Sequence, residues 1–325
     1  MVWDLNPVLF QVPLVNLEVR YYGVIFSLNF VLGLGLFAWQ IKRSGAPAAE
    51  ALDFIWPGFL GLVVGARCGH VFFYNFDYFL KDPLWLFRVW EGGLASHGAT
   101  IGLILAIFYH SRTHKRPFWD TFDRLAFSGA LGSALIRLGN FFNSEIVGKV
   151  ANVPWAVQFP RYDVHLPLGL VPPRYPTQLI EFSAGLLVLA SLLVIDRVAG
   201  REKRPRGLIS SFFLIFYFLA RFLIEFLKER HGAADDFILS KGQLLSLPPF
   251  LFGVILLITV LIKVKNPTRP SDVPPKGSNK ETAKQKAKER TKKLAPVPKL
   301  LKSKPAAKKK AKNSAKTLAK PSGGL

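Results

Sequence analysis

Seven apolar stretches, each about as long as a membrane helix, constrain this chain more than any other feature of its sequence. Crossing a hydrocarbon core of about 30 Å takes roughly 20 apolar residues in an α-helix. Such helices are predicted over residues 21–41, 53–75, 93–110, 122–142, 178–196, 207–227 and 243–262. Hydrophobic residues make up 50% of the 325 residues, in keeping with this many crossings. The sequence therefore predicts an all-α, polytopic membrane protein with seven transmembrane helices.

The distribution of Lys and Arg gives the predicted helices an orientation. Cytoplasmic loops of membrane proteins are rich in Lys and Arg. One set of loops is short and basic, with its cations within residues 42–43, 112–116 and 197–206, whereas the other loops are longer and mixed in charge. We therefore predict that the N-terminus lies outside and the C-terminus lies in the cytoplasm.

Most of the net charge of +22 belongs to the C-terminal end of the chain. Residues 265–325 contain 19 of the 43 Lys and Arg residues but only 3 of the 21 Asp and Glu residues. Such a segment buries too little apolar surface to fold, so we expect it to be disordered. The chain is thus predicted to consist of a transmembrane domain, residues 1–264, and a Lys-rich cytoplasmic tail, residues 265–325. Contact of this tail with anionic lipid is the favoured interpretation, and nucleic-acid contact is the weaker alternative.

Composition distinguishes several segments of the predicted domain. Residues 77–91 are too polar to span a membrane, and their Trp and Phe spacing suits a short helix in the interface. Residues 146–177 form a loop too long for a passive connector, which we interpret as a lid or substrate-entry loop. The third and fourth membrane segments are rich in Gly, Ala and Ser, so they are expected near the centre of the bundle. Gly98 and Gly102 have the GxxxG spacing of close helix pairs.

Polar side chains in the predicted membrane segments fall almost entirely in the outer halves. A charged side chain at the bilayer centre costs about 3 kcal/mol on insertion scales, so such residues indicate a function or a partner. The polar residues at the outer ends are Arg20, Tyr21, Tyr22, Arg67, His70, Tyr74, Asn75, Ser96, His97, Arg137, Asn140, Asn143, Ser144, Glu145, Arg174, Gln178, Glu181, Tyr217, Arg221, Glu225, Lys228 and Gln243. A channel or transporter needs polar groups through the whole membrane or at its midplane. The pattern therefore predicts a site at the outer leaflet, where lipid head groups meet water.

Three guanidinium groups indicate the chemistry of this site. Arg67, Arg137 and Arg221 are accompanied by few membrane-embedded acids, mainly Glu145, Glu181 and Glu225. A guanidinium can bind a phosphate through two parallel hydrogen bonds, so the cluster predicts a site for a phospholipid head group. Arg137 and Asn140 stand three residues apart and share a helix face. Arg221 has a structural alternative, because Glu225 lies four residues later and can pair with it on one face.

His97 and Cys68 leave the type of reaction open at this point. A lone histidine in a helix is more often a hydrogen-bonded packing residue, and a general base near neutral pH is the sharper alternative for His97. Cys68, the one cysteine, is interpreted as a small core residue and not as a nucleophile. The sequence contains no HExxH, CxxC cluster or GxSxG motif. Neither a metal nor serine-hydrolase chemistry is predicted, and no cofactor is expected.

Residues 136–149, IRLGNFFNSEIVGK, resemble the signature of the prolipoprotein diacylglyceryl transferase family, which reads approximately GR-x-GNF-x-N-GE-x-x-G. The matching residues are Arg137, Gly139, Asn140, Phe141, Asn143, Glu145 and Gly148. Other stretches resemble the same family in the same order: YYG at 21–23, GAR at 65–67, FYN at 73–75, FRVWEGGLASHG at 87–98, RYPTQLIE at 174–181, ARFLIEFLK at 220–228 and KGQLLSLP at 241–248. The resemblance covers about residues 15–262 and leaves the basic tail outside.

The resemblance implies a bacterial inner-membrane enzyme with seven helices. Members of this family transfer the diacylglyceryl group of phosphatidylglycerol to the lipobox cysteine of a prolipoprotein, and glycerol phosphate leaves. By position, Arg137 and Arg221 would hold the lipid phosphate, and His97 would be the catalytic residue proposed to take the thiol proton. The other expected substrate-binding residues are Tyr22, Arg67, Asn140, Glu145, Gly148, Tyr217 and Glu225. A phospholipid-binding or lipid-transporting membrane protein without catalysis is the alternative function.

The sequence departs from the family pattern at three positions. Ile136 and Ser144 stand where the family has glycine, and Lys228 stands where it commonly has arginine. We expect the first two changes to tighten the local packing or the turn. Lys228 receives no bidentate role, because an ammonium lacks the planar fork of a guanidinium.

Overall fold

Helices dominate the computed structural model, which describes residues 1–13, 17–229 and 239–265. The helices are α1 (Tyr21–Arg43), α2 (Ile55–Tyr74), α3 (Phe76–Lys81), α4 (Ser96–Thr113), α5 (Phe118–Phe142), α6 (Thr177–Val198), α7 (Leu208–Ile224) and α8 (Lys241–Lys265). The strands are β1 (Val8–Val12), β2 (Leu17–Arg20), β3 (Val157–Gln158) and β4 (Pro173–Arg174). Apart from Lys265, the predicted disordered tail lies outside the described residues.

Six helical stretches in these ranges are long and apolar enough to cross a membrane. They are Tyr21–Arg43, Ala48–Tyr74, Phe118–Phe142, Thr177–Val198, Leu208–Leu227 and Lys241–Lys265, where 3-10 turns extend α2 and α7. The prediction of an all-α, polytopic membrane protein is confirmed at this level. Two small antiparallel sheets, β1–β2 and β3–β4, were not predicted.

The third predicted membrane segment forms α4, which is not among these six stretches. It has 18 residues, and polar side chains occupy both of its ends. Its helical character agrees with the expectation, but its crossing of the membrane stays a prediction. The helix begins at Ser96 and not at residue 93, because residues 92–95 form an extended connection that starts with two glycines of positive φ. The predicted interfacial helix 77–91 is divided between α3 and two 3-10 turns, Pro83–Phe87 and Val89–Glu91.

Glycines bring α2 and α4 into direct backbone contact. A Cβ atom on Gly61 would lie 2.5 Å from the carbonyl oxygen of Gly102, and one on Gly69 would lie 2.7 Å from the Cα of Gly98. Small residues at such positions let helices pack through van der Waals contacts in lipid. The GxxxG pair predicted from the sequence therefore forms one side of a helix contact whose other side lies on α2.

The fourth membrane segment, α5, contacts α1, α4, α6 and α7 and so has the central place expected of it. Its buried side chains form a core with α6 and α7, in which Phe127, Leu192 and Ile209 are fully buried. By contrast, α4 packs chiefly along α2, with a smaller contact to α5. The C-terminal end of α5 is held in this way beside the start of α6 and the end of α7.

Ion pairs bind the opposite ends of the same helices. Asp196 of α6 pairs with Arg43 at 2.7 Å and with Arg204 at 2.5 Å. Asp123 accepts hydrogen bonds from the backbone N–H groups of Gly207 and Ser210, both at 2.8 Å. A carboxylate at a helix N-terminus satisfies N–H groups that have no partner inside the helix. These contacts fix where α7 begins relative to α5 and α6.

Candidate active site

A narrow cleft opens where the C-terminal half of α5, the N-terminal half of α6 and the C-terminal half of α7 meet. Its polar lining is supplied by Ser133, Arg137, Glu181, Tyr217 and Arg221. The space inside is about 10 Å³, the volume of a single water site. The structure thus brings together three of the residues predicted from the sequence, namely Arg137, Tyr217 and Arg221.

A chain of ion pairs extends from the cleft towards the end of α7. The guanidinium Nε of Arg137 lies 3.2 Å from Oε2 of Glu181. The ammonium of Lys228 lies 3.0 Å from the other oxygen of Glu181 and 3.1 Å from Glu225. Glu225 also accepts a hydrogen bond from the hydroxyl of Ser240, at 3.2 Å. Glu181 and Lys228 are both 8% exposed, so each charge is buried only in the company of opposite charges.

Arg221 lines the same cleft and has no carboxylate partner among the described residues. The alternative that it pairs with Glu225 is wrong. Regular α-helix ends at Ile224, and Glu225 begins a 3-10 turn that turns its carboxylate towards Lys228. The spacing of four residues therefore does not bring Arg221 and Glu225 together, and the guanidinium of Arg221 is available to an anion.

A tight turn at the end of α5 carries the most specific part of the sequence motif. Asn140 donates to Glu145 at 2.8 Å, and Asn143 donates to the same carboxylate oxygen at 3.2 Å. Arg137 Nη1 donates to the Asn140 side-chain oxygen at 3.4 Å. Ser144 has a φ of 54°, a conformation that glycine adopts without strain. A glycine at position 144, which the sequence motif would have, adopts this backbone conformation more easily than the serine does.

Two further motif residues support this turn by their shape. A Cβ on Gly148 would lie 2.6 Å from the Cβ of Tyr175, so only glycine fits there without a shift. A Cβ on Gly139 would lie 2.7 Å from the ring of Tyr22, which places that tyrosine against the end of α5. Gly148 thus serves the packing of the loop, and Tyr22 borders the region that contains Arg137.

Several residues at the site had been placed at this end of the bundle from the sequence but had received no catalytic or substrate-binding role. Glu181 and Lys228 form the centre of the ion-pair chain, and Gln178 and Thr177 donate to the backbone carbonyls of Glu145 and Ile146, at 2.8 and 2.9 Å. Glu181 did carry a signal, because an acid in an apolar helix is costly without a partner. The sequence did not indicate the role of Lys228, because its ion-pair partners lie on another helix and in a turn.

His97 and Arg67 are not part of this cleft. The ring of His97 contacts Phe73 and Tyr74, with centroids 5.1 and 5.6 Å apart, and both partners belong to α2. The guanidinium of Arg67 donates to backbone carbonyls of the segment before α4. The predicted phosphate-binding role of Arg67 therefore finds no support in its contacts.

A buried arginine, Arg174, holds together the loop that was predicted to be a lid. Arg174 donates to both carboxylate oxygens of Asp163, at 2.9 and 2.8 Å, and to Glu229 at 2.6 Å. Burial lowers the pKa of Arg174, but the hydrogen bonds and negative charge of Asp163 and the charge of Glu229 outweigh it, so the pKa lies above its ordinary value. The backbone of Lys149 also donates to the carbonyl of Leu227 at 2.9 Å. The loop is thereby joined to the turn that carries Glu225 and Lys228.

The fold and the cleft define a class: a multi-pass membrane protein with a narrow cleft between its helices that is lined by two arginines. The sequence model of the prolipoprotein diacylglyceryl transferase family matches residues 7–259. The chain therefore belongs to this family, and the resemblance seen in the sequence is confirmed.

Individual relatives agree with the family match. The phosphatidylglycerol–prolipoprotein diacylglyceryl transferase of Vibrio cholerae serotype O1 is 38% identical over 259 residues, which are 78% of this chain and 91% of the relative. The protein of the same name from Glaesserella parasuis is 39% identical over 263 residues, 78% of this chain and 92% of the relative. That of Aliivibrio salmonicida is 37% identical over 289 residues, 87% of this chain and 96% of the relative.

Proposed function

We propose that this chain transfers the diacylglyceryl group of phosphatidylglycerol to the lipobox cysteine of a prolipoprotein, forming a thioether and releasing glycerol phosphate. The observation that carries the proposal is the cleft in which Arg137 and Arg221 lie together, in a chain of this family. The names of the relatives supply the two substrates. The cysteine belongs to the protein substrate, so the enzyme needs no nucleophile of its own.

The reaction exchanges one bond for another at a single glycerol carbon. The substrate thiolate attacks the carbon that bears the phosphate, and the S–C bond forms as the C–O bond to the phosphate breaks. The electron pair of the broken bond leaves on the phosphate oxygen. Arg137 and Arg221 hold the phosphate and stabilise the charge that develops on it, because guanidinium donors are most effective in a site without water.

We assign to His97 the removal of the proton from the substrate thiol. A neutral imidazole has one nitrogen that can accept a proton, and a base near neutral pH suits proton transfer. In the part of the chain that the structure describes, His97 has ring contacts with Phe73 and Tyr74 and no hydrogen bond. The remaining residues of the site shape the space for the head group: Tyr22, Asn140, Glu145, Gly148, Tyr217 and Glu225.

The proposal includes a seventh membrane crossing by α4, with the N-terminus outside and the C-terminus in the cytoplasm of a bacterium. The protein would lie in the inner membrane, where exported prolipoproteins and phosphatidylglycerol meet. Residues 1–264 would form the catalytic domain. Residues 265–325 would form a cytoplasmic tail whose cations attract anionic lipid, at about 1 kcal/mol per basic residue near the surface.

One assay separates catalysis from lipid binding or transport without chemistry. Purified protein in detergent is incubated with phosphatidylglycerol and a lipobox peptide, and the peptide is then weighed by mass spectrometry. A gain of one diacylglyceryl unit supports the transferase. Movement of lipid between vesicles with an unmodified peptide supports the alternative and contradicts the proposed function.

A further inference from the structure

Arg67 of α2 is buried among backbone carbonyls of the segment that precedes α4. It is only 2% exposed. Its Nε donates to Leu86 at 3.0 Å and its Nη2 donates to Trp85 at 2.5 Å. Its Nη1 donates to Gly92 at 2.5 Å and more weakly to Gly93 at 3.3 Å. All three nitrogens of the guanidinium are therefore engaged by the backbone of one segment.

These contacts take the place of a counter-ion. Arg67 forms no ion pair among the described residues, and its guanidinium lies 4.2 Å from the ring centroid of Trp85. Burying a cation is costly unless its donors are satisfied, and stacking on an aromatic face adds a smaller gain. The segment must keep its carbonyls directed at Arg67 to avoid that cost. A phosphate held through two parallel hydrogen bonds would have to displace at least one of these contacts.

The segment held by Arg67 leads directly to His97. Gly92 and Gly93 have φ values of 83° and 74°, which only glycine adopts readily. The backbone N–H of Ala95 then donates to the carbonyl of Ala66 at 2.9 Å. His97 follows two residues later, in the first turn of α4.

We infer that Arg67 is a positioning residue, which fixes the turn at Gly92 and Gly93 and, through it, the first turn of α4 and the imidazole of His97. The rings of Phe73 and Tyr74 on α2 contact that imidazole directly. Helix α2 thus positions both the backbone and the imidazole ring of His97. The inference rests on the proposed function in one respect, the action of His97 on the substrate thiol.

Amide hydrogen exchange tests the structural half of this inference without any substrate. The full-length protein in detergent is compared with Arg67→Met and with a matched control, Arg88→Met. Arg88 belongs to the same segment, but its side chain is 35% exposed and pairs with Asp82. Arg67→Met is expected to speed exchange in peptides covering residues 86–97, including the amide of Ala95, whereas Arg88→Met leaves Ala95 protected. Unchanged protection of Ala95 in Arg67→Met would overturn the inference, whatever the transfer assay gives.

Kinetics with the lipobox peptide test the functional half. Arg67→Met is expected to lower kcat about 10-fold or more while the KM for phosphatidylglycerol changes less than about 3-fold. In a protein that already carries His97→Gln, the added Arg67→Met should lower kcat by less than about a further 3-fold, because both changes act through the same imidazole. A raised KM with multiplicative losses would instead identify a phosphate ligand. Full rescue by Arg67→Lys would also contradict the inference, because an ammonium cannot make the same four directed bonds.

A milder variant keeps the test independent of the folding of Arg67→Met. Trp85→Leu removes the ring beneath the guanidinium and its hydrogen bond to Glu91, but it keeps every backbone acceptor of Arg67. Exchange in the same peptides should rise and kcat should fall, each less than in Arg67→Met. Wild-type exchange and kcat in Trp85→Leu would count against the inference. If the wild-type protein does not modify the peptide, the proposed function fails, and the exchange experiment still decides the position of the segment.

Discussion

Arg137 and Arg221 line the same cleft but differ in their electrostatic surroundings. Arg137 already lies 3.2 Å from the carboxylate of Glu181, whereas Arg221 has no acidic partner among the described residues. A lipid phosphate would therefore gain a free guanidinium at Arg221 and would share Arg137 with Glu181. Glu181 has a second contact, to Lys228, which would remain if Arg137 turned to the phosphate.

Replacing either arginine of the cleft should abolish most of the transfer. Arg137→Ala and Arg221→Ala are each expected to lower kcat/KM about 100- to 1,000-fold, the loss typical of removing one donor that stabilises developing charge. Arg161→Ala is the matched control, because that side chain is 38% exposed and pairs with Asp4. It should stay within about 2-fold of the wild type, as exposed ion pairs contribute little. Transfer by Arg137→Ala at the wild-type rate would refute the phosphate site.

The sequence marks these two arginines and names Glu181 among the nearby acids, but it does not show that Glu181 pairs with Arg137 and leaves Arg221 unpaired. The depth of Arg137 and Arg221 in apolar helices was enough to mark them, because charge in lipid demands an explanation. The same argument marked Arg67, whose partners are backbone carbonyls of a segment about 20 residues away in sequence. Depth alone cannot tell a ligand-binding cation from one that organises a loop. The pairing of Glu225 depended on where α7 changes to a 3-10 turn, which the helical spacing does not reveal.

The contact of α2 with α4 depends on the absence of side chains at Gly61, Gly65, Gly69, Gly98 and Gly102. Two helix backbones separated only by hydrogen atoms keep a fixed distance and register. His97 lies in the first turn of α4, so this contact contributes to its placement. The helix contact is in this sense part of the site, although it contains no polar side chain.

A methyl group added within this helix contact should lower the stability of the protein, whereas one added to a free helix face should raise it. Gly61→Ala is expected to destabilise the protein by about 1–3 kcal/mol, because its Cβ would overlap the carbonyl of Gly102. Gly35→Ala, with no heavy atom within 4 Å of the added Cβ, should stabilise α1 by up to about 1 kcal/mol. Unfolding in mixed micelles measures both free energies. Equal shifts of the same sign would show that α2 and α4 are not in contact.

The loop between α5 and α6 should depend on Arg174. Arg174→Met leaves Asp163 buried without a counter-charge and is expected to cost about 3–5 kcal/mol, the range for breaking a buried pair. Because the pKa of Arg174 is raised, this contribution is complete below the ordinary pKa of arginine and is lost only above it. Limited proteolysis should cut residues 149–173 faster in the variant at any pH from about 5 to 9. Cleavage at the wild-type rate would mean that other contacts hold the loop.

The long helices were predictable because each carries its own apolar signal, but the small sheets were not. The pairing of β3 with β4 joins Val157 to Arg174 across a loop, and each strand has only two residues. A strand of two residues is too short to show an alternation of apolar and polar side chains. The pairing of β3 with β4 therefore depends on tertiary contacts. The start of α4 likewise moved to Ser96, since the preceding glycines interrupt the helix.

The two ends of the helix bundle differ, as expected of an enzyme that acts at one face of the membrane. One end holds the cleft, and the other holds the ion pairs of Asp196 with Arg43 and Arg204. The sequence prediction placed almost all polar side chains at the end with the cleft and so missed the buried Asp123, Arg124 and Asp196 at the other end. It could not establish whether α4 crosses the membrane, because the apolar part of that helix is short.

Cysteine labelling decides the seventh crossing. Cys68→Ser gives a background without cysteine, into which Lys81→Cys or Lys115→Cys is introduced. Both lysines are exposed, and they stand on either side of α4. With α4 in the membrane, a membrane-impermeant maleimide added to intact cells should label position 81 and reach position 115 only after permeabilisation. Labelling of both positions from the same side would place α4 outside the membrane, and labelling of position 115 alone in intact cells would contradict the proposed orientation.

The central claim is that the cleft releases glycerol phosphate as the substrate sulfur takes the diacylglyceryl group. The most direct measurement follows both products in one reaction of the purified protein with phosphatidylglycerol and a lipobox peptide. Mass spectrometry gives the modified peptide, and an enzymatic assay gives the free glycerol phosphate. We predict one glycerol phosphate for each peptide that gains a diacylglyceryl unit, and formation of both products at least about 100-fold more slowly with Arg137→Ala. A peptide that retains phosphate, or modification without release of glycerol phosphate, would contradict the account.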